Sequence, residues 1–194
     1  QGYFDVERTP VDAPGAKGAI TRVEKDESPR SDTSLEKLAA LKTVYGAETI
    51  TSGNAPGLND GAAFVLLTSR SFAEAHGLQP LAEITSYAQV ADGPTSGSYT
   101  PAIGIQKALR GANKSAMQLD AIEINEAFAA TPLVSTLRLA DGDHVAADAL
   151  RAKTNRQGGA VAIGHPLGAS GARITMTLVN SLRRLGGGQG AAAI

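Results

Sequence analysis

The sequence predicts an α/β fold with a mixed sheet. Short apolar runs of strand length alternate with stretches whose leucines recur at helical spacing. Clusters of glycine, proline, asparagine and aspartate punctuate that alternation. No repeat of fixed period runs through it, which sets solenoids and propellers aside.

Residues 1–34 are polar, with Pro10, Pro14 and Pro29 among alternating charges. Such a segment has little core of its own and reads as loops with short strands packed on something else. Leu35, Leu38, Leu41 and Tyr45 recur at helical spacing behind Ser31, Asp32, Thr33 and Ser34 as capping candidates. Gly46 is the expected end of that helix. The turn-rich loop Thr51–Gly61 leads into Ala62–Leu67, an apolar run expected as a buried central strand. Ser71–His76 reads as a short helix stopped by Gly77, and Leu81–Val90 as another strand. Pro101 opens a helix over Ala102–Leu109, because a first-turn proline lacks only an N–H that would be unpaired anyway. Asp120–Ile124 is a short strand, followed by the Asn125 loop and a helix around Leu133–Leu139. Val161–Ile163 is expected as a strand end before His165, and Ala172–Leu182 as a helix closed by Arg183 and Arg184. Gly186–Gly190 is either an anion cradle of backbone N–H groups or an open tail.

Composition narrows the function classes. The net charge of −1 provides no field for nucleic acid or an anionic membrane. No apolar run approaches the roughly 18 residues of a membrane span. Gln1–Asp5 does not read as a signal or transit segment, so the expected location is cytoplasmic. The chain has no cysteine, which removes disulfides, thiolate metal sites and a cysteine nucleophile from these 194 residues. His76, His144 and His165 are too scattered for a histidine metal site, and Asp141–His144 is too short for a metal loop. No metal is expected.

Two segments could carry chemistry. His165 lies between Gly164 and Pro166, and the proline holds it extended. A neutral imidazole there could donate an N–H to a developing oxyanion or take a proton from a thiol. It could equally be a turn histidine with one satisfied nitrogen. Asn125-Glu126 follows a strand, where ligands bind in α/β proteins. Asn125 could hold a water while Glu126 orients its amide; the same pair would also serve as a helix N-cap.

Read together, these motifs resemble the thiolase family. The resemblance rests on Ser52-Gly53-Asn54 through Asn59-Asp60-Gly61-Ala62-Ala63, then Asn125–Ala129, then Gly158–His165 through Ser170-Gly171-Ala172-Arg173, then Gly186–Gly190. It spans nearly the whole chain and corresponds to roughly the carboxy-terminal half of a thiolase. It implies a thiolase-like five-layered αβαβα fold with mixed sheets. Residues 1–48 would end its loop domain, 49–79 close its first half, and 80–194 form the second half. The implied reaction is thiolysis of a 3-ketoacyl-CoA or the reverse Claisen condensation of acetyl-CoA. Acyl-CoA and coenzyme A would be substrates, with no cofactor, and a homodimer or homotetramer would be the working form.

The resemblance also implies roles. His165 would activate a nucleophilic cysteine and donate to a thioester oxyanion, and Asn125 would fix a water in that hole. Gly186 would offer its N–H to a second hole. Arg30 would meet the adenine end of coenzyme A, Ser52 and Gly53 its pantetheine arm, and Ala127 and Phe128 the acyl end. The departures bear on these roles. The nucleophilic cysteine belongs to the half not represented here. Arg184 stands where a second cysteine is expected, and Leu185 alone separates Arg184 from the glycines, which implies about a dozen absent residues near 184–186. Pro56 replaces a common serine, so a hydroxyl and an N–H that could hold the pantetheine are lost. A cysteine-free chain would be inactive alone. The alternative within the same resemblance is an aldolase-type or non-catalytic subunit that only binds acyl-CoA.

Overall fold

The computed structural model describes residues 2–194. The centre is a parallel pair, β3 (Ala121–Ile124) beside β4 (Gly190–Ala193). All four residues of β3 are buried, as a strand covered on both faces must be. Period-two alternation sends Ile122 and Ile124 to one face and Glu123 to the other. On the isoleucine face lie α3 (Thr100–Gly111), α4 (Ala130–Leu139) and α5 (His144–Arg151). The apolar core forms there from Ala102, Ile105, Leu109, Ile122, Ile124, Leu139 and Leu150. On the Glu123 face lies α7 (Leu167–Arg184), packed on both strands. The described residues thus build three layers, helices on both sides of a sheet, out of the five expected.

The amino-terminal region is built separately. β1 (Val11–Pro14) and β2 (Ile20–Val23) form an antiparallel hairpin. The helix α1 (Leu35–Ala39) starts at Ser34, whose hydroxyl accepts from Lys37 N at 3.2 Å. It ends at Ala39, well short of Gly46, and the chain turns later, at Tyr45 and Gly46, which both take left-handed backbones. Thr43 then bridges Thr51. α2 (Arg70–Ala75) matches the short helix expected before Gly77, whose φ is +62°.

Three expectations on strands are corrected. Ala62–Leu67 forms no strand, with Phe64 88% and Leu66 83% exposed. Leu81–Val90 likewise forms no ladder, its end lying along α3 where Lys107 Nζ donates to Gln89 O at 2.9 Å. A strand exists only where a neighbour accepts its hydrogen bonds, and no described residue does so for either run. Val161–Ile163 belongs to a single helical turn, α6 (Ala160–Ile163), because Val161 N donates to the Glu126 carboxylate at 2.9 Å.

The carboxy-terminal glycines are not an open tail. Gly186 N donates to Arg183 O and Gly187 N to Leu182 O, at 3.1 and 2.9 Å. This pairing is a Schellman cap, and the left-handed φ of +84° at Gly186 allows it. The chain passes through Leu185–Gln189 directly into β4. Gly188 has φ +132°, and a Cβ there would lie 2.6 Å from Asp120 Oδ2.

Candidate active site

The site sits at the carboxy-terminal end of β3, where the strand's last hydrogen bonds place Asn125. Asn125 N donates to Ala193 O of β4 at 2.9 Å, so the residue is aligned by the sheet itself. Its side chain is buried, and its Nδ2 donates to His165 Nε2 at 3.2 Å. The two motifs, 40 residues apart in sequence, therefore converge on one point. Asn125 Oδ1 is buried without a hydrogen-bond partner. An unpaired carbonyl costs on the order of 1–3 kcal/mol, so this atom is poised for a water or a ligand group.

His165 is held from three directions. Its backbone N donates to Asn59 Oδ1 at 3.2 Å, and Asn59 Nδ2 donates to Ser28 Oγ at 3.3 Å. Its Nδ1 lies 2.7 Å from Ser170 Oγ in the first turn of α7. Its Nε2 faces Asn125. Gly164 makes this entry possible: φ is +105°, and a Cβ would fall 2.4 Å from Asn59 Oδ1. An amide nitrogen only donates, so Nε2 accepts in this arrangement and the neutral ring carries its proton on Nδ1. Burial pushes the His165 pKa below its ordinary value, and the Arg173 guanidinium pushes it the same way. The ring is therefore neutral near pH 7.

Glu126 does not orient the Asn125 amide. Its carboxylate accepts from Val161 N at 2.9 Å and from Asn155 Nδ2 at 3.3 Å. It thereby caps α6, and Gly159 is required beside it, since a Cβ there would come within 2.6 Å of its carboxyl carbon. Asn155 brackets the strand end, accepting from Ile124 N and donating to Ile124 O, both at 2.8 Å. The polar face of β3 beneath the site carries Glu123, which is buried, with its pKa raised to about 8. Desolvation is the main cause, opposed by Arg173 and reinforced by Glu7 and Glu126. Arg173 Nη1 is buried and unpaired.

The residues expected to bind ligand fall into groups. Ser52 and Gly53 lie in a turn closed by Asn54, whose Oδ1 accepts from Thr51 N at 2.9 Å. Asn54 O accepts from Ala129 N at 2.8 Å, which ties this turn to the Ala127-Phe128 loop. These four residues are thus brought to one side of the molecule. Gly53 lines an open groove of about 450 Å³ with Leu38, Leu41 and Thr51. A Cβ on Gly53 would meet Leu38 Cδ2 at 2.6 Å, so the groove depends on glycine there. Phe128 is 40% exposed and Ala127 is also exposed, so both are open to an incoming group. A second groove, of about 430 Å³, runs beside His165 between Asn59–Ala63 and Pro166–Ala169. Arg30 is exposed on the chain leading into α1.

Gly186 is the exception. Its N–H is consumed by the cap of α7 and is not offered to an anion. Arg184, at the position expected for a second cysteine, covers the Tyr3 ring at 5.6 Å and donates to Tyr3 O at 3.3 Å. Sequence reasoning missed Asn59, Asn155 and Ser170 as supports. Asn59 lay inside a quoted motif, but its contact with His165 spans 106 residues and no local spacing signals it. Among the described residues no group of histidine and acidic side chains could hold a metal ion.

Known proteins resemble this chain along its whole length. The thiolase carboxy-terminal domain matches residues 78–194 and the thiolase amino-terminal domain residues 1–71. β-Ketoadipyl-CoA thiolase of Acinetobacter baylyi is 45% identical over 190 residues, covering 96% of this chain and 45% of that protein. The cytosolic acetyl-CoA acetyltransferase of Rattus norvegicus is 41% identical over 196 residues, covering all of this chain and 47% of the relative. The crystal structure of Bacillus anthracis acetyl-CoA acetyltransferase superposes with a TM-score of 0.87 at 40% identity, over 100% of this chain and 48% of that one. Human mitochondrial 3-ketoacyl-CoA thiolase in complex with CoA gives 0.81 at 36% identity, over 100% of this chain and 46% of that one. The chain spans about half the length of the curated relatives it matches. Its fold is the thiolase fold, and the chain belongs to the thiolase family.

Proposed function

We propose that this chain supplies the acyl-transfer half of a thiolase, acting on a 3-ketoacyl-CoA or on acetyl-CoA with a cysteine from polypeptide outside these 194 residues. The observation that carries the reading is the His165–Asn125 pair, 3.2 Å apart, beside the buried and unpaired Asn125 Oδ1. The basic lone pair of the neutral imidazole is on Nε2, held at rest by the Asn125 amide, and it takes the proton of a thiol S–H that displaces that contact. The thiolate then attacks the keto carbon of the substrate. The imidazolium N–H and a water held by Asn125 Oδ1 stabilise the negative oxygen that forms. Cleavage of the carbon–carbon bond leaves the acyl group on sulfur and releases the carbanion of acetyl-CoA, which takes up a proton. Coenzyme A thiol attacks the acyl sulfur ester in turn and restores the enzyme.

Arg30, Ser52, Gly53, Ala127 and Phe128 are proposed as the coenzyme A and acyl contacts, with no separate cofactor. The link between the Ser52–Asn54 turn and the Phe128-Ala129 loop supports grouping four of them. Residues 1–48, 49–79 and 80–194 are proposed as the end of a loop domain, the close of the first half and the second half. A homodimer or homotetramer, a role in fatty acid metabolism and a cytoplasmic location belong to the same proposal. The relative named as cytosolic supports the last, and no described helix is long and apolar enough to cross a membrane. The test is steady-state thiolysis of acetoacetyl-CoA by the enzyme with its cysteine-bearing part. His165→Ala is expected to lower kcat by about 10²–10³ with a small change in KM. A kcat within about threefold, with weaker coenzyme A binding, would make His165 a ligand contact and favour a binding subunit.

A further inference from the structure

The pair at the end of β3 leaves one feature unexplained: a serine hydroxyl, 1% exposed, placed 2.7 Å from the far side of the imidazole. We propose that Ser170 is a positioning residue that selects the Nδ1–H tautomer of His165 and so presents Nε2 as a proton acceptor. This rests on His165 acting at an acyl centre.

A serine hydroxyl has one proton to give. Ser170 Oγ donates it to Pro166 O, four residues back in the same helical turn, at 3.1 Å. With the proton so placed, Oγ meets Nδ1 with a lone pair, and Nδ1 must carry the hydrogen. The opposite side of the ring gives the same answer. Asn125 Nδ2 is a donor only, and it faces Nε2. Both neighbours therefore favour one tautomer. Ser170 is also rigidly placed. It lies in the first turn of α7, its backbone N donates to Pro166 O at 3.1 Å, and its side chain has no solvent to turn towards.

The consequence is an order of events. A ring with Nε2–H would reach the substrate as a hydrogen-bond donor and could not take a thiol proton at that nitrogen. A ring with Nδ1–H takes the proton first. Only afterwards, as imidazolium, does it donate from Nε2 to the oxyanion. During this change the Nδ1–H···Oγ bond becomes charge-assisted and strengthens, so Ser170 contributes most when the ring is charged. A base oriented by a third group is the arrangement general to activated nucleophiles.

The test is ¹⁵N NMR of the histidine ring in the cysteine-bearing enzyme at neutral pH, joined to kinetics of Ser170→Ala and Ser170→Cys. The proposal expects a protonated Nδ1 and a pyridine-like Nε2 in the wild type. It expects Ser170→Ala to mix the tautomers and lower kcat at least about tenfold with KM changed less than about twofold. Ser170→Cys keeps the shape with a weaker acceptor and should fall between. A wild-type spectrum with Nε2–H, its amide partner turned to present Oδ1, would overturn the proposal without any variant. So would Ser170→Ala with unaltered tautomer and kcat. Loss of the His165→Ala effect would instead overturn the active-site reading, which separates the two failures.

Discussion

At the scale of the residue, the site works by contrast between neighbours. His165 is kept neutral by burial and by Arg173, while Glu123, on the polar face of β3, is kept protonated by burial. Asn125→Ala removes the buried amide but not the base. Its role passes through a water that other donors partly replace, so kcat should fall less than for His165→Ala. Equal losses in parallel steady-state assays would mean that the amide touches the substrate directly. Glu123 makes a separate prediction about pH. Its folded value is raised to about 8 from an ordinary 4.5, so its stabilising contribution is complete below pH 4.5 and is lost as pH rises through 8. Glu123→Gln lacks that loss. Urea midpoints should therefore shift in favour of the variant between pH 5 and pH 8.5. A difference that does not change with pH would show that the carboxyl titrates normally. His165 acts in the opposite sense, since its lowered value gives stability above pH 6.5 that fades as pH falls.

At the scale of the element, glycines set the geometry of the side chains proposed to act. Gly164 is the sharpest case, with φ +105° and Asn59 packed where a Cβ would be. Gly164→Ala should destabilise the fold by at least about 1–3 kcal/mol in chemical denaturation and detach His165 N from Asn59. A midpoint matching the wild type would contradict the close approach. The same scale explains what was legible in the sequence. Helices carry their own signals, and Ser34, Pro101 and Gly77 marked theirs, because capping and periodicity are local. Strands depend on partners. Ala62–Leu67 has the composition of a central strand and no ladder among the described residues. Gly190–Ala193, with little strand signal, pairs fully with β3. Gly186 was expected to offer its amide to an anion, and that amide closes a helix instead. The His165–Asn125 meeting was foreseen from two motifs in one family order. The supports Asn59, Asn155 and Ser170 were not, because each is defined by a contact distant in sequence or by a helix whose start was placed five residues late.

At the scale of the whole molecule, the chain carries the residues proposed as base, oxyanion-stabilising amide and ligand loops, but no cysteine. It spans about half of its curated relatives, and Phe64, Leu66, Leu81 and Tyr87 lie exposed on runs with no strand beside them. The proposed function accounts for both facts by one cause: further polypeptide that bears the cysteines and the neighbouring strands. Thiol titration of the denatured protein as produced, with its intact mass, tests this most directly. The expected result is two functional cysteines on a polypeptide about twice the 19.8 kDa of this chain. A protein of 19.8 kDa with no titratable thiol would contradict the enzymatic account.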